Sequence, residues 1–466
     1  MTAEVSNVIV IKNPTDALRK YVKASLVLAN PDYEKKSRMG FWTGATPRTI
    51  KLYEEWSDGR LVLPYGMLQE IEQFFTNVED RIDWSISERY IIDYKGADIP
   101  LYDYQEKAVR EMITHQNGIL QSPAGSGKTQ MGLAMAIRTG RRTLWLTHTK
   151  DLLNQSKERA AQYMDPSLLG TITEGKVNIG TAITFATIQT MSKIDLLAHC
   201  CDWDMVIVDE CHRCAGSPTQ VTMFYAVLNR LRAKYKYGLS ATVHRADGMI
   251  RATTALLGNV RYAVPDEAVK EKTMQVTINP VPTNIDISNS CLNTDGTLNY
   301  AKLISYLTEN HSRNVVIWDT IYDNKGESSL ILSDRLEHLE TLMEMLPPEM
   351  RKDAVMISGK MTSKKGKAER EAAIEAMRTG EKKYLFATYS LAKEGLDIPR
   401  LRCLYLATPV KDYAVVVQSI GRIARKFPDK KDPICFDFVD NIGYLRKAFR
   451  TRISHYRKAG CNLELV

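Results

Sequence analysis

Residues 118–133 carry the side chains with the clearest chemistry in the sequence. An apolar run, a loop with two glycines and an apolar-periodic segment follow one another there, which predicts strand, loop and helix. The glycines let successive backbone N–H groups face phosphate oxygens, and the helix N-terminus adds positive potential. Lys128 would contact the β- and γ-phosphates of a nucleoside triphosphate, and the Thr129 hydroxyl would help to hold Mg²⁺.

The predicted phosphate loop comprises Ser122, Gly125, Ser126, Gly127, Lys128 and Thr129. Ser122 stands where the usual pattern has its first glycine. The alternative is that the sequence Gly-Lys-Thr occurs by chance in a surface loop. The strand predicted before it and the helix predicted after it argue against this alternative.

A second group of polar side chains ends an apolar run, Met205 to Val208. The next two residues are Asp209 and Glu210, and ligands of parallel sheets bind where the strands end. Hydrolysis of a triphosphate needs a cation to neutralise developing charge and a group that orients the attacking water. We expect Asp209 to hold Mg²⁺ through a bound water and Glu210 to act on the attacking water.

Length and composition indicate a multidomain protein without a membrane span. At 466 residues the chain is too long to fold around a single hydrophobic core. Its net charge of +8 favours binding to a polyanion over the alternative of a merely basic enzyme. No long apolar run or secretion signal is present, which predicts a cytoplasmic or otherwise intracellular protein. Cys200, Cys201, Cys211, His212 and Cys214 could suggest zinc, but free thiols are the favoured interpretation because an apolar strand separates the cysteines.

The chain divides by pattern into three regions. Residues 1–97 lack a nucleotide motif, and we expect a small α+β accessory domain with strands over 8–11 and 24–28. Residues 98–258 and 259–466 each alternate strands and helices, which predicts two tandem parallel-sheet α/β domains.

Three local features complete this division. The accessory domain carries a cluster, Lys35, Lys36, Arg38, Phe41 and Trp42, that is either a nucleic-acid contact or a solvated loop. We expect a helix over 300–322. A basic C-terminal helix, capped by Asp440 or Asn441, should expose Arg446, Lys447, Arg450, Arg452, Arg457 and Lys458 to water or phosphate.

Several motifs in order resemble the superfamily 2 helicases. The phosphate loop is followed by Asp-Glu-Cys-His at 209–212 and Ser-Ala-Thr at 240–242, then by residues 387–399 and Gln-Ser-Ile-Gly-Arg-Ile-Ala-Arg at 418–425. The resemblance covers about residues 98–440. Residues 146–155 and 180–190, together with the DECH box, are similar to the XPB-like group and the phage recombination helicases.

The resemblance implies two RecA-like domains that close on ATP. It assigns adenine recognition to Gln105, and it places Gly395 and Asp397 near the ribose. It makes Arg425 the arginine finger, with Arg422 on the γ-phosphate and Gln418 beside the attacking water or a phosphate oxygen. Ser240 and Thr242 would couple this site to bound nucleic acid.

The resemblance also implies a nucleic-acid track across both RecA-like domains. Its contacts would be mostly to phosphates and therefore independent of sequence. The residues assigned to the track are Thr147, Lys150, Thr187, Gln189, Ser333, Arg335, Ser358, Lys360 and Thr388.

The expected function is an ATP- and Mg²⁺-dependent DNA helicase or translocase that unwinds or remodels branched DNA. A nuclease is an expected possible partner of this activity. One alternative is a non-unwinding, nucleic-acid-stimulated ATPase clamp that recruits partners in DNA repair or defence. An RNA helicase is the second alternative.

Overall fold

The computed structural model describes residues 1–86, 91–123, 125–215, 217–241, 249–270, 273–359, 361, 363–393, 396, 398–410 and 413–464. The chain forms two compact units. One contains residues 1–123 and 127–265, and the other contains residues 124–126 and 266–466.

The N-terminal segment forms a five-stranded sheet in the order β5-β6-β2-β1-β7 and a separate antiparallel pair, β3 and β4. Its strands are β1 Thr2–Val5, β2 Val8–Lys12, β3 Val27–Ala29, β4 Thr49–Lys51, β5 Glu54–Glu55, β6 Leu61–Pro64 and β7 Arg81–Trp84. Its helices are α1 Asp16–Leu26, α2 Pro31–Arg38 and α3 Leu68–Glu72. The strand expected over 24–28 is wrong in its first half, because Thr15 caps α1 and Leu26 continues the buried face of Leu18 and Val22.

This segment shares a hydrophobic core with the helix α9, Ile250–Leu257. Leu18, Val22 and Met67 belong to the same buried cluster as Ala252 and Ala255. The N-terminal sheet is therefore part of the first compact unit.

A polar contact reinforces this packing. The Arg251 guanidinium donates to both carboxylate oxygens of Glu70, at 2.7 and 2.6 Å. Burial alone would raise the pKa of Glu70, but hydrogen bonds from Arg251 and Tyr21 lower it below its usual range. Both sides of this ion pair thus remain charged where α9 meets the N-terminal segment.

The first large sheet has the order β11-β10-β12-β9-β13-β14-β8-β15, and all its neighbours are parallel except β10 and β11. Its strands are β8 Asn117–Gln121, β9 Thr143–Thr147, β10 Leu169–Thr173, β11 Lys176–Asn178, β12 Ile183–Thr187, β13 Met205–Asp209, β14 Tyr235–Ser240 and β15 Val260–Ala263. The remaining helices of this unit are α4 Asp103–Ile113, α5 Lys128–Thr139, α6 Lys150–Ala161, α7 Ile188–Met191 and α8 Pro218–Leu228. Because β15 pairs with β8, the sheet continues past residue 258, where we expected its domain to end.

The second large sheet is entirely parallel, in the order β18-β19-β17-β20-β21-β16-β22. Its strands are β16 Thr277–Pro282, β17 Ser329–Ser333, β18 Ala354–Ile357, β19 Tyr384–Thr388, β20 Cys403–Leu406, β21 Ile434–Val439 and β22 Asn462–Leu463. The helices of this unit are α10 Asp266–Lys270, α11 Tyr300–Glu309, α12 His311–Asp323, α13 Leu336–Glu344, α14 Pro348–Arg351, α15 Lys364–Thr379, α16 Tyr389–Lys393, α17 Tyr413–Ile423 and α18 Gly443–Lys458.

Alternate residues of the second sheet enter two separate cores. Leu330 and Leu332 belong to one cluster, whereas Ile331 belongs to the other. Both faces are thus buried, as expected of a parallel sheet. The prediction of two parallel-sheet α/β domains is confirmed.

Two predictions for the second unit need correction. The helix expected over 300–322 is two helices, because Asn310 interrupts it and caps α12 by accepting from the Arg313 N–H. The cap of α18 is Ile442 rather than Asp440 or Asn441, because buried Asp440 accepts from Arg313 Nε at 2.7 Å.

The basic face of α18 is also smaller than expected. Arg452 is buried and donates to both oxygens of Asp437, at 2.7 and 2.8 Å. It therefore anchors the helix to β21, while the remaining basic residues of the face are exposed: Arg446, Lys447, Arg450, Arg457 and Lys458. Within the described residues, no helix has the length and apolar character needed to cross a membrane.

Gly66→Ala should destabilise the first unit. A Cβ at Gly66 would lie 2.4 Å from the backbone nitrogen of Gly258 and 2.6 Å from the carbonyl oxygen of Ala255, so backbone would have to move. We expect a loss of about 1–3 kcal/mol, the usual scale for overpacking, measured by urea unfolding. Gly443→Ala is the control, because its Cβ would meet no atom within 4 Å. Equal stability of the two variants would contradict the close packing of the N-terminal segment on α9.

Candidate nucleotide site

The loop between β8 and α5 has the geometry of a phosphate cradle. Gly125 and Gly127 have φ angles of 81° and 80°, a region that glycine enters without strain. Helix α5 begins directly afterwards at Lys128. The side chain of Lys128 is only 11% exposed, and its Nζ donates to the Ser122 carbonyl oxygen at 3.5 Å. The loop thus holds a buried cation at a helix N-terminus.

The two predicted acidic residues lie at the carboxyl end of β13. The carboxylate of buried Asp209 accepts from the Glu210 N–H at 3.0 Å and from the Ser156 hydroxyl at 3.4 Å. Glu210 has a φ of 49°, the left-handed region, which is uncommon for a residue other than glycine. Its Oε1 lies 3.9 Å from Lys128 Nζ, and its Oε2 lies 3.2 Å from His212 Nδ1.

These surroundings shift the two carboxyl groups in opposite directions. Burial, and then the neighbouring Glu210 charge, raises the pKa of Asp209. Burial would also raise the pKa of Glu210, but Lys128 and His212 outweigh it and lower that pKa. At neutral pH Glu210 is therefore an ionised carboxylate beside the phosphate loop, as a group that orients water must be.

His212 connects the acidic pair to the end of β14. Its Nδ1 lies 3.1 Å from the hydroxyl of buried Ser240, and the Ser240 carbonyl accepts from the Ser122 N–H at 2.9 Å. Ser240 thus contacts both the DECH box and the phosphate loop. This agrees with its predicted coupling role, which remains a prediction.

Three polar residues at this edge were not assigned a role from the sequence. Ser156 on α6 hydrogen-bonds Asp209, and His212 Nδ1 hydrogen-bonds the Ser240 hydroxyl and lies 3.2 Å from Glu210 Oε2. His148 is buried, and within the described part of the chain neither ring nitrogen has a hydrogen-bond partner. Burial lowers the pKa of His148 to about 4, so the ring is neutral at pH 7. Only His212 had a sequence signal, its place in the DECH box.

Gln105 lies next to the phosphate loop. Its Oε1 accepts from the Tyr102 N–H at 2.9 Å and so caps α4. Its Nε2 would lie 2.4 Å from a Cβ at Gly127, but this flexible side chain could move, and the φ of 80° is what favours glycine there. The carboxamide therefore already fixes the start of α4, and its proposed reading of adenine has to use its remaining hydrogen-bonding capacity.

The residues predicted to complete the site lie on or just after α17 in the second unit. Gln418 has a buried Oε1 without a hydrogen-bond partner among the described residues. Arg422 donates to the Leu396 carbonyl at 3.1 Å. Arg425 follows the end of the helix and forms a β-bridge with Thr273. Thr242, Lys360, Gly395 and Asp397 lie outside the described residues.

The predicted nucleic-acid residues divide into buried and accessible groups. Thr147, Thr187 and Ser333 are buried, and their hydroxyls bond Thr149, Thr190 and His338. These three hydroxyls are therefore used within the protein and are not available to a phosphate in this structure.

The accessible members of the track are more suited to ligand contact. Lys150 forms an ion pair with Glu174 at 2.8 Å, and Gln189 donates to the His148 carbonyl at 2.8 Å. Arg335 is exposed, and Ser358 and Thr388 are half-buried.

No group of three or more His, Cys, Asp or Glu side chains that could hold a metal ion is present in the described ranges. Cys211 and Cys214 are buried free thiols, whereas Cys200 and Cys201 lie near the surface. The apolar strand β13 separates the two pairs in sequence.

Comparison with known proteins finds a matching family for each of the two regions that carry the helicase-like motifs. Residues 98–245 match the family described as "Type III restriction enzyme, res subunit", and residues 312–427 match the "Helicase conserved C-terminal domain". The chain is a superfamily 2 helicase of the group that contains XPB and phage helicases. It is therefore an ATP-hydrolysing enzyme with two RecA-like domains.

Several relatives illustrate the range of this group. A "Putative ATP-dependent RNA helicase L396" of Acanthamoeba polyphaga mimivirus is 27% identical, over 77% of this chain and 67% of its own. The "DNA 3'-5' translocase XPB2" of Sulfurisphaera tokodaii is 24% identical, over 77% and 86%. The "ATP-dependent DNA helicase uvsW" of Enterobacteria phage T4 is 22% identical, over 90% and 86%.

A solved structure supports the fold of the helicase. S. cerevisiae Dbp5 bound to RNA and ADP BeF3 has a TM-score of 0.55 at 16% identity, over 78% of this chain and 90% of that one.

Glu210→Gln should retain ATP but lose hydrolysis. The amide keeps the size of the side chain, but it cannot carry the negative charge that acts on water, and we expect a loss of about 10²–10⁴-fold. Single-turnover hydrolysis and binding of a fluorescent ATP analogue measure the two steps separately. Lys128→Ala is the matched control, because it should lose ATP binding as well. Normal turnover by the Gln variant would show that Glu210 has another role.

Proposed function

We propose that this helicase couples ATP hydrolysis to the unwinding or remodelling of DNA, with branched DNA as the preferred substrate. The observation that supports it most is the arrangement at one sheet edge. Lys128, Glu210, His212 and Ser240 form a continuous polar chain from the phosphate loop to the end of β14. A change at the γ-phosphate would therefore alter contacts outside the phosphate loop.

A divalent cation fits this edge. The carboxyl group of Asp209 is buried with its pKa raised, so its ionised form would be stabilised by a cation. Asp209, through bound water, and the Thr129 hydroxyl at the start of α5 would hold Mg²⁺ beside the phosphates. When bound, Mg²⁺ neutralises charge that develops on the phosphate oxygens.

In the proposed reaction the chain's own groups divide the work. Lys128 binds the β- and γ-phosphates, and the ionised Glu210 orients the attacking water and accepts its proton. The transition state spreads further negative charge over the γ-phosphoryl oxygens, which an arginine can stabilise. Arg425 supplies this charge, Arg422 binds the γ-phosphate, and Gln418 contacts the attacking water or a phosphate oxygen.

The nucleic-acid track uses the accessible residues of both RecA-like domains. Lys150, Gln189 and Arg335 reach the surface and can contact phosphates, with Ser358 and Thr388 beside them. Such contacts make binding independent of sequence and sensitive to salt. Selection of branched DNA then has to come from elsewhere in the chain.

We place this selection in the N-terminal segment. Phe41 and Trp42 are 60% and 80% exposed, and they follow the basic helix α2, which has no buried residue. Exposed aromatic rings stack on unpaired bases, and neighbouring lysines contact phosphates. Deleting residues 1–97 would expose the core shared with α9, so point substitutions are needed to test this role.

An RNA helicase remains the second candidate, because one relative carries that name and the Dbp5 structure contains RNA. DNA is favoured because the XPB2 and uvsW relatives are named for DNA. A third candidate, an ATPase clamp that recruits repair or defence partners, requires closure without unwinding.

Strand displacement by the purified chain separates these functions. We expect ATP-dependent release of a labelled strand from forked or four-way DNA, weaker release from linear duplexes, and none with Glu210→Gln. Displacement of RNA duplexes alone would favour the RNA helicase. ATP hydrolysis without displacement of any duplex would favour the clamp and contradict the proposal.

Trp42→Ala should weaken binding to forked DNA more than binding to linear duplexes. Loss of one base–aromatic stack corresponds to about 1–3 kcal/mol, measured by fluorescence anisotropy at matched salt. Trp56→Ala is the control, because Trp56 is less exposed and the Arg60 guanidinium lies 4.5 Å from its ring. Equal discrimination by wild type and Trp42→Ala would place substrate choice in the RecA-like domains.

A further inference from the structure

Lys430 holds the backbone of the segment that carries Arg425. Its Nζ donates to the carbonyl oxygens of Ile423 and Arg425, both at 2.7 Å, and of Pro399 at 3.1 Å. An ammonium group has three N–H donors, and all three have an acceptor here. Two of the acceptors, the carbonyls of Ile423 and Arg425, are two residues apart. Ile423 lies at the end of α17, and Arg425 lies just after it.

The position of these carbonyls explains why a cation binds them. Ile423 is the last residue of α17, and the last carbonyls of a helix lack partners within the helix. The negative end of the helix dipole also favours a positive charge. Asp429, with a φ of 57°, lies in the turn that brings Lys430 back towards the helix end.

Backbone contacts from Thr273 and Met274 also fix this segment. Thr273 forms a β-bridge with Arg425, and the Met274 N–H donates to the Ala424 carbonyl at 2.7 Å. The backbone of residues 423–425 is thus tied to one chain segment by Thr273 and Met274, and to another by Lys430. Burial, and then the charge of Arg425, lowers the pKa of Lys430 to about 8, so the ammonium remains largely protonated at pH 7.

We propose that Lys430 is a positioning residue for Arg425, setting the backbone from which the finger side chain extends. It also ties this segment to Pro399, which follows the residues expected to line the ribose. Lys430 is not itself expected to contact ATP. The inference rests on the proposed role of Arg425, and a purely structural helix cap is the alternative that the experiment has to separate.

The first comparison uses the full chain with saturating nucleic acid. Lys430→Met keeps the length of the side chain but loses the ammonium, so the finger segment should shift. We expect kcat to fall by about 10²-fold, the scale for a catalytic group displaced by about 1 Å, with KM for ATP nearly unchanged. Lys431→Met is the matched control: its side chain is 72% exposed and pairs with Glu327, so kcat should stay at the wild-type value.

The second comparison is a double-mutant cycle with Arg425→Ala, which should lose about 10³-fold in kcat. If Lys430 acts through Arg425, adding Lys430→Met to Arg425→Ala should cause no further loss. An equal additional loss would overturn the proposal, as would a wild-type kcat for Lys430→Met. Wild-type turnover by Arg425→Ala would instead refute the arginine-finger assignment. This outcome distinguishes a failure of the proposed function from a failure of the Lys430 proposal.

A variant that retains donors protects the test from misfolding. Lys430→Gln keeps N–H donors without the charge, and thermal unfolding shows whether each variant is folded. We expect Lys430→Gln to retain part of the kcat that Lys430→Met loses. Loss of stability with an unchanged kcat in the folded Met variant would mean that Lys430 is only a helix cap, and would overturn the proposal.

Discussion

We propose that the chemistry of this helicase depends on a buried charge arrangement at the carboxyl edge of the first large sheet. Two neighbouring carboxyl groups, Asp209 and Glu210, are removed from water, which by itself opposes ionisation of both. The ammonium of Lys128 and the ring of His212 stabilise the charge of Glu210. The charge of Asp209 is less well stabilised, and a bound cation would supply the missing stabilisation.

The fold produces this arrangement because its strands are parallel and end together. Strand β14 lies between β8 and β13, so the phosphate loop, Ser240 and the acidic pair emerge at one edge. The second unit repeats the architecture, and the backbone of its Arg425 is held by both Thr273 and Lys430. In our account the first sheet binds and hydrolyses ATP, and the second supplies charge that matters mainly in the transition state.

The sequence predicted the parts that depend on local spacing. The phosphate loop, the end of β13 and the two alternating series follow from glycine positions and apolar runs, and the structure has them. It could not show that Thr147, Thr187 and Ser333 turn their hydroxyls inwards. Their partners Thr149, Thr190 and His338 are close in sequence, but the backbone turn after each strand decides whether the side chain faces the interior or the solvent. Arg452 and Asp440 have buried partners more distant along the chain, Asp437 and Arg313, that helical spacing does not reveal. The shared core of the N-terminal segment and α9 joins residues roughly two hundred positions apart, such as Leu18 and Ala252, and has no local signature.

The decisive measurement is the rate of ATP hydrolysis in the presence of different nucleic acids. The comparison would use no nucleic acid, single-stranded DNA, forks, four-way junctions and RNA at equal salt and nucleotide concentration. We expect slow hydrolysis alone, stimulation by DNA, the greatest stimulation by branched DNA and little by RNA. If none of the nucleic acids changed the rate, the result would contradict coupling between the nucleotide site and the nucleic-acid track.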